Sequence, residues 1–369
     1  MNRVPESPDE TDADFSPELR RRLADEATAD RLRFDRYVDL VMQAEGVGYY
    51  SRPDLVLGRR GDFYTAPHVT SLFGSTLARR VELSWQRAGR PAHWRVLEIG
   101  GGDGTLAVDL ALALTHRMPA EVGLEYVIVE RSASLRSRML ERLRSTPLRA
   151  GFEIYALPTL GADGPFRGVV VANELFDALP FRRFTFRAGT WNEWYVHVGQ
   201  NLEPMLAPVD GIALLPEAAE EGTVFELTTD ARGILRAVAD HLLDGVMIAL
   251  DFGEEETDLL RRREGTVVAL RAHHPVANPL AFPGTSDLST FVNFTRLRRW
   301  AAESGLVERA YRSQAEALGE WGIEAELAER TASVSAEEAV RLRLQVKNLL
   351  FSFSNFRVVE WTPADVDRL

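Results

Sequence analysis

Between Trp94 and Leu114 the chain reads Trp-Arg-Val-Leu-Glu-Ile-Gly-Gly-Gly-Asp-Gly-Thr-Leu, then Ala-Val-Asp-Leu-Ala-Leu-Ala-Leu. No other stretch restricts the fold as much. Val96, Leu97 and Ile99 form a short apolar run of the kind buried in a parallel sheet. Gly100, Gly102 and Gly104 then alternate through a bend, and apolar residues recur at helical spacing from Thr105. Strand, glycine bend and helix open a nucleotide-binding βαβ unit, so an α/β fold is expected. Glycine lets the backbone turn sharply and approach a ligand with no Cβ in the way. The helix start offers unpaired N–H groups to the same ligand.

The residues narrow the ligand without fixing it. A dinucleotide fingerprint, G-x-G-x-x-G, would need glycine at Thr105. Glu98 stands inside the strand, unfavourable for a pyrophosphate but not for a cation. The pattern E-x-G-x-G-x-G over 98–104 resembles the first motif of S-adenosylmethionine (SAM) methyltransferases. The next apolar run, 125–130, ends at Glu130, where a carboxylate can accept both ribose hydroxyls. A third strand is expected from Phe152. It is followed by Ala156 and Leu157 rather than an acid, so adenine would be held by apolar packing and backbone bonds. SAM, a nicotinamide or flavin nucleotide, and a tight turn with no ligand all remain compatible with these residues.

Charge and composition exclude some classes. The 369 residues carry a net charge of −12, which argues against a nucleic-acid or anionic-membrane binder. No cysteine is present, so there is no disulfide frame, thiolate nucleophile or cysteine zinc site. His273 and His274 are adjacent, and neither H-E-x-x-H nor G-x-S-x-G occurs, so no metal site and no serine hydrolase is expected. No apolar run approaches the ~20 residues of a membrane span. The N-terminus is acidic and unlike a signal peptide, and a cytoplasmic enzyme is expected.

Along the chain, residues 1–15 read as a disordered tail and 16–92 as a helical cap region. Phe34, Tyr37, Val41 and Met42 share one helix face there, and Phe73, Leu77, Val81 and Trp85 another. Residues 61–68, with Asp62, Tyr64 and His68, read as a loop able to carry function. The first half of the core spans 93–180 and ends on an apolar strand, 168–173, leading to Asn173, Glu174 and Asp177. Ligands of open parallel sheets lie beyond the carboxyl ends of the strands, so the glycine bend, Glu130 and 173–177 should converge. Alternating segments in 181–228 predict an inserted antiparallel β subdomain. Ile234, Leu235, Val238 and Leu242 predict a helix, and 229–369 the second half of the core with an insertion at 266–295. Trp191 and Trp194 on the inserted strands could form a homodimer patch.

Taken together, GDFYTAPH (61–68), LEIGGGDGTL (97–106), YVIVE (126–130) and ANELFDALP (172–180) resemble the MidA family. That family includes a mitochondrial arginine methyltransferase that assists respiratory complex I assembly. DFG (251–253), His273 and PGTSDLSTFVNF (283–294) extend the match. The resemblance implies a Rossmann-like seven-stranded SAM methyltransferase core with the last strand antiparallel. It implies SAM as cofactor, held by Glu98, Gly100, Gly102, Gly104, Glu130, Asn173 and Thr65. Glu174 and Asp177 would act on the methyl acceptor, with Asp62, Tyr64, His68 and His273 at its mouth. The acceptor would be a protein, peptide or small molecule; the alternative is a catalytically idle SAM-binding assembly factor. Phe252, Phe291, Asn293, Ser75 and the ending at 353–358 depart from the family pattern, in segments expected on the acceptor side.

Overall fold

The computed structural model describes residues 15–52, 55, 65–161, 164–209, 214–217, 219–228 and 230–364. Asp62, Tyr64 and all but the last residue of the expected tail lie outside them.

Seven strands form the central sheet: β1 (His93–Ile99), β2 (Gly123–Val129), β3 (Phe152–Leu157), β4 (Phe166–Asn173), β5 (Leu242–Glu254), β6 (Leu306–Ser313) and β7 (Phe356–Pro363). Their spatial order is β6-β7-β5-β4-β1-β2-β3, with the short strand Val292–Asn293 also pairing β5. The pairs among β1 to β5 are parallel, whereas β7 runs antiparallel to both β5 and β6. This is the seven-stranded Rossmann-like core that the motifs imply. The chain leaves β1 toward one edge and returns through β4 toward the other, so a crevice opens between them at the carboxyl ends.

Period-two alternation explains the continuous apolar runs. Val96, Ile128, Val169, Val171, Ile248 and Leu250 face one layer, packed by Leu77, Leu110, Met139 and Leu342. Leu97, Val127, Val170, Ala172, Met247 and Ala249 face the other, packed by Leu235, Val238, Leu297 and Trp300. Both faces are covered, so the central strands are mostly apolar, and the buried acids within them, Glu98 and Asp251, stand near the carboxyl ends.

The inserted segment is antiparallel, as alternation predicts, but it recruits the N-terminus. Arg31–Arg33 pairs with Thr190–Val198, which pairs with Arg182–Arg187 and with Leu202–Pro208; Arg182–Arg187 also pairs with Val224–Leu227. A third cluster ties this sheet to the N-terminal helices through Leu32, Phe34, Val38, Phe181, Val196 and Leu288. Two expectations need correction. The helix before β5 ends at His241, and Leu242 already belongs to the strand. Trp191 is no surface patch: it is 6% exposed, stacks on Phe186 and Phe225, and donates to the Pro216 carbonyl. An amphipathic ring on an alternating strand goes inward when its N–H finds an acceptor there.

Candidate functional site

A cavity of about 830 Å³ opens at the carboxyl ends of β1, β2, β4 and β5. One wall is the glycine bend. Gly100, Gly102 and Gly104 all take positive φ (+78°, +54° and +79°), a region that L side chains rarely adopt. A Cβ on Gly102 would meet nothing within 4 Å, so it faces open space, and its N–H donates to Glu130 Oε2 at 3.3 Å. Gly104 differs from the other two. It caps the helix Thr105–Arg117, its Cβ would collide with Met139 Cγ at 2.7 Å, and it does not line the cavity. Gly101 is the tightest point: its Cβ would lie 2.5 Å from Ile128 Cγ2.

Glu130 follows β2 and accepts the Ser132 N–H at 2.8 Å. Burial raises its pKa, against the pull of those N–H donors. Glu98 lies below the bend, 2% exposed, and accepts the Tyr126 hydroxyl at 2.7 Å. Burial pushes it up to about 8. Pro158, Thr159 and Leu160 after β3 also line the cavity, as do Gln43 and Tyr50 from the N-terminal segment.

The opposite end is acidic. Asn173 closes β4, and its buried Oδ1 has no hydrogen-bond partner among the described residues. Glu174 takes φ +50°, and its N–H is held by the Leu250 carbonyl at 2.8 Å, which extends the β4–β5 register. Its Oε1 accepts the Ala66 N–H at 3.1 Å and Asn173 Nδ2 at 3.3 Å. Burial, then the Asp177 charge, pushes Glu174 up to about 8. Asp177 is 7% exposed, its Oδ1 has no hydrogen-bond partner among the described residues, and burial, Asp251 and Asp287 raise it well above the usual range. Asp287 accepts the Tyr50 hydroxyl at 3.1 Å. Phe252 and Phe356 line the same end.

His68 lines the cavity, but it is engaged with the glycine bend. Its Nδ1 lies 2.7 Å from Thr65 Oγ1 and its Nε2 3.3 Å from Asp103 Oδ2. His273 sits at the rim, exposed, in the two-residue turn between Val268–Arg271 and His274–Pro275. Ala272 and His273 both have positive φ there (+49° and +63°), the geometry of a tight hairpin. So Glu98, Gly100, Gly102, Glu130, Thr65, His68, Asn173, Glu174, Asp177 and His273 border one cavity, and Gly104 supports it from behind. Of the departures from the family pattern, Phe252 reaches the cavity, as does Phe356 within the altered ending. Phe291 packs edge-on against Phe252 at 5.1 Å, Asn293 caps the helix Phe294–Glu303, and Ser75 donates to the Leu72 carbonyl. Those last two serve their own helices rather than an acceptor.

Sequence reasoning missed Asp251, Asp287, Asp103 and Tyr50. Asp251 follows the apolar run 246–250 within β5, beside β4, and an acid there was a usable signal. Asp287 comes from a stretch that reads as loop and pairs as a strand, Asp287–Ser289, with Val268–Arg271. No local pattern announces it.

Residues 76–311 match a family model described as "Putative S-adenosyl-L-methionine-dependent methyltransferase". A crystal structure of a Burkholderia thailandensis protein bound to S-adenosyl-homocysteine is 30% identical, with a TM-score of 0.83, covering 95% of this chain and 94% of that one. The Drosophila melanogaster protein named "Protein arginine methyltransferase NDUFAF7 homolog, mitochondrial" is 28% identical over 302 residues, 73% of this chain and 67% of its own. The Homo sapiens protein named "Protein arginine methyltransferase NDUFAF7, mitochondrial" is 25% identical over 313 residues, 78% of this chain and 69% of its own. The match spans about two thirds of the length of these curated relatives.

Proposed function

The chain belongs to the MidA-type family of S-adenosyl-L-methionine-dependent methyltransferases, and we propose that its large cavity seats the cofactor against the glycine bend and a cationic acceptor against Glu174 and Asp177. The observation that carries this reading is the continuity of one cavity from Glu130 to the carboxyls after β4.

The donor set suits SAM. Glu130 offers a carboxylate to the ribose hydroxyls, and Gly100 and Gly102 leave the bend free of side chains. Asn173 Oδ1, a buried acceptor with no partner among the described residues, suits the cofactor's ammonium group. Glu98 and Thr65 border the same end, and the 158–160 segment offers backbone and apolar surface to adenine. Bound SAM supplies a sulfonium methyl open to in-line displacement. The chain's own residues position the acceptor and manage its proton.

For the acceptor, the excess of carboxyls over cations in the cavity selects positive charge. Glu174, Asp177 and Asp287 face it, with Arg131 at the far end beside Glu130. A guanidinium matches them by fork geometry, and the arginine methyltransferase names of the relatives agree with that choice. An entering cation lowers the pKa of Glu174, so the carboxyl ionises as the acceptor binds and can hold a nitrogen lone pair toward the methyl. Phe252 and Phe356 wall the stem of such a side chain. His273 at the rim belongs in this proposal to the mouth that a protein or peptide substrate would cross; Asp62 and Tyr64 lie outside the described residues. His68 moves from that mouth to the support of the bend, on its contacts to Thr65 and Asp103.

Among the described residues no helix is long and apolar enough to cross a membrane. The relatives' names place those proteins in mitochondria. For this chain we keep a cytoplasmic site of action as the proposal, to be decided by cell fractionation.

Tritiated-methyl SAM incubated with the enzyme and a host-cell extract tests the function. The expected result is label on arginine side chains, lost in Glu174→Gln while the fold is retained. SAM binding with no labelled acceptor would instead favour a catalytically idle assembly factor.

A further inference from the structure

Asp251 is 0% exposed, at the carboxyl-end half of β5. Its Oδ2 accepts the Leu175 N–H at 3.1 Å and the Phe176 N–H at 2.8 Å, and its Oδ1 accepts the Phe252 N–H at 3.0 Å. A side chain on one strand thus caps the first turn after its neighbour. That turn begins at Glu174, whose φ of +50° is one that a residue with a Cβ rarely adopts. The Glu174 N–H is itself gripped by the carbonyl of Leu250. Two consecutive residues of β5 therefore clamp the reversal on both sides.

We propose that Asp251 is a positioning residue: by holding the 174–176 reversal it sends the Glu174 carboxyl into the cavity, and by facing Asp177 it sets that group's charge. The proposal rests on the methyltransferase reading above. A neutral amide or hydroxyl could cap the same turn without burying an ionisable group, so capping alone does not account for a carboxyl here. The groups around it are Glu174 and Asp177 beyond β4 and Arg357 at the paired position of β7, and Asp287 adds its charge at Asp177. Arg357 directs its Nη1 to the carbonyls of Ser354 and Phe356. Burial pushes Asp251 up to about 7, with Glu174 adding to the rise, and Asp177 is raised by burial and then by Asp251. Two such carboxyls are better satisfied sharing one proton than carrying two charges.

The test compares Asp251→Ala with Asp251→Asn. Alanine removes the side-chain acceptor of the Leu175 and Phe176 N–H groups; asparagine keeps one oxygen for them and removes the charge. Both variants should bind S-adenosyl-homocysteine within about threefold of the unsubstituted protein, because neither touches the bend. Methyl transfer from tritiated SAM into host-cell extract should fall at least about tenfold in Asp251→Ala, since the misplaced Glu174 no longer meets the acceptor. Asp251→Asn should restore most of the rate, with the acid limb of its pH profile displaced downward by about half a unit or more, because Asp177 loses a like-charged neighbour. Full transfer by a folded Asp251→Ala would overturn the proposal. So would an Asp251→Asn profile that coincides with the unsubstituted one, and that result decides the matter if the alanine variant does not fold. Binding of S-adenosyl-homocysteine by the unsubstituted protein checks the parent reading separately. Its absence sinks both readings, whereas binding with unshifted variants sinks this one alone.

Discussion

Glu174 concentrates the physical problem of the site into one residue. It adopts a left-handed backbone, carries a carboxyl pushed up to about 8, and accepts N–H groups from two segments. Glu174→Gln keeps the shape and removes the charge. Transfer should fall by about 100-fold, the scale of losing a group that acts on the reacting atom, while thermal stability at pH 8 stays level or rises. A drop in stability with transfer intact would contradict the role. Gly101 tests the packing of the bend instead. Gly101→Ala drives a Cβ to 2.5 Å from Ile128 Cγ2 and 2.8 Å from Met139 Sδ. Overpacking of that kind should cost about 1–3 kcal/mol in denaturant unfolding, and S-adenosyl-homocysteine affinity should weaken with it. An unchanged midpoint would show that the bend can yield. Glu98, Glu130 and Glu174 were legible because each follows or interrupts an apolar run, where an acid has no structural reason to stand. Asp251 was visible in the same way but masked by its reading as a strand terminus. Asp287 depended on tertiary pairing and left no local trace.

At the scale of elements, β7 shows how the antiparallel strand is anchored. Its Glu360 accepts Arg80 Nη2 at 2.6 Å, Arg312 Nη2 at 2.6 Å and Trp321 Nε1 at 3.2 Å. Helix Leu72–Arg87, β6 and helix Gln314–Trp321 meet on this one carboxylate. Glu360→Ala leaves the shielded Arg80 guanidinium without its anion and Arg312 with the exposed Glu320, and should cost about 3–5 kcal/mol, read as a lowered unfolding midpoint. A change below ~1 kcal/mol would mean that water already screens the pair. The parallel strands were readable from continuous apolar runs, and the helices from apolar spacing ended by glycine or started by serine. The structure adds the strands Arg31–Arg33, Leu202–Pro208 and Asp287–Ser289, and the helices Gln314–Trp321 and Ile323–Thr331. The three strands are short or half-exposed edges, set by partners distant in sequence rather than by their own pattern.

Over the whole molecule, the buried acids dictate a pH response. Glu98 and Glu174 are pushed up to about 8 and Asp251 to about 7, with Asp177 also raised. In the unfolded chain these groups ionise near ~4. The folded state therefore binds more protons between roughly pH 5 and 8 than the unfolded state does, so stability falls as pH rises through that window and levels off above it. A thermal midpoint that climbs from pH 5 to pH 8 in the ligand-free protein would show that these carboxyls are ionised already. The central claim is that the bend and Glu130 hold the donor at one end of the cavity while the acids after β4 hold the acceptor at the other. Calorimetry of S-adenosyl-homocysteine against the unsubstituted protein and Glu130→Ala tests it most directly. The account predicts one site per chain, weakened about tenfold or more by the substitution, the scale of a lost charge-assisted hydrogen bond. Equal affinity in the two proteins, or no binding in either, would contradict it.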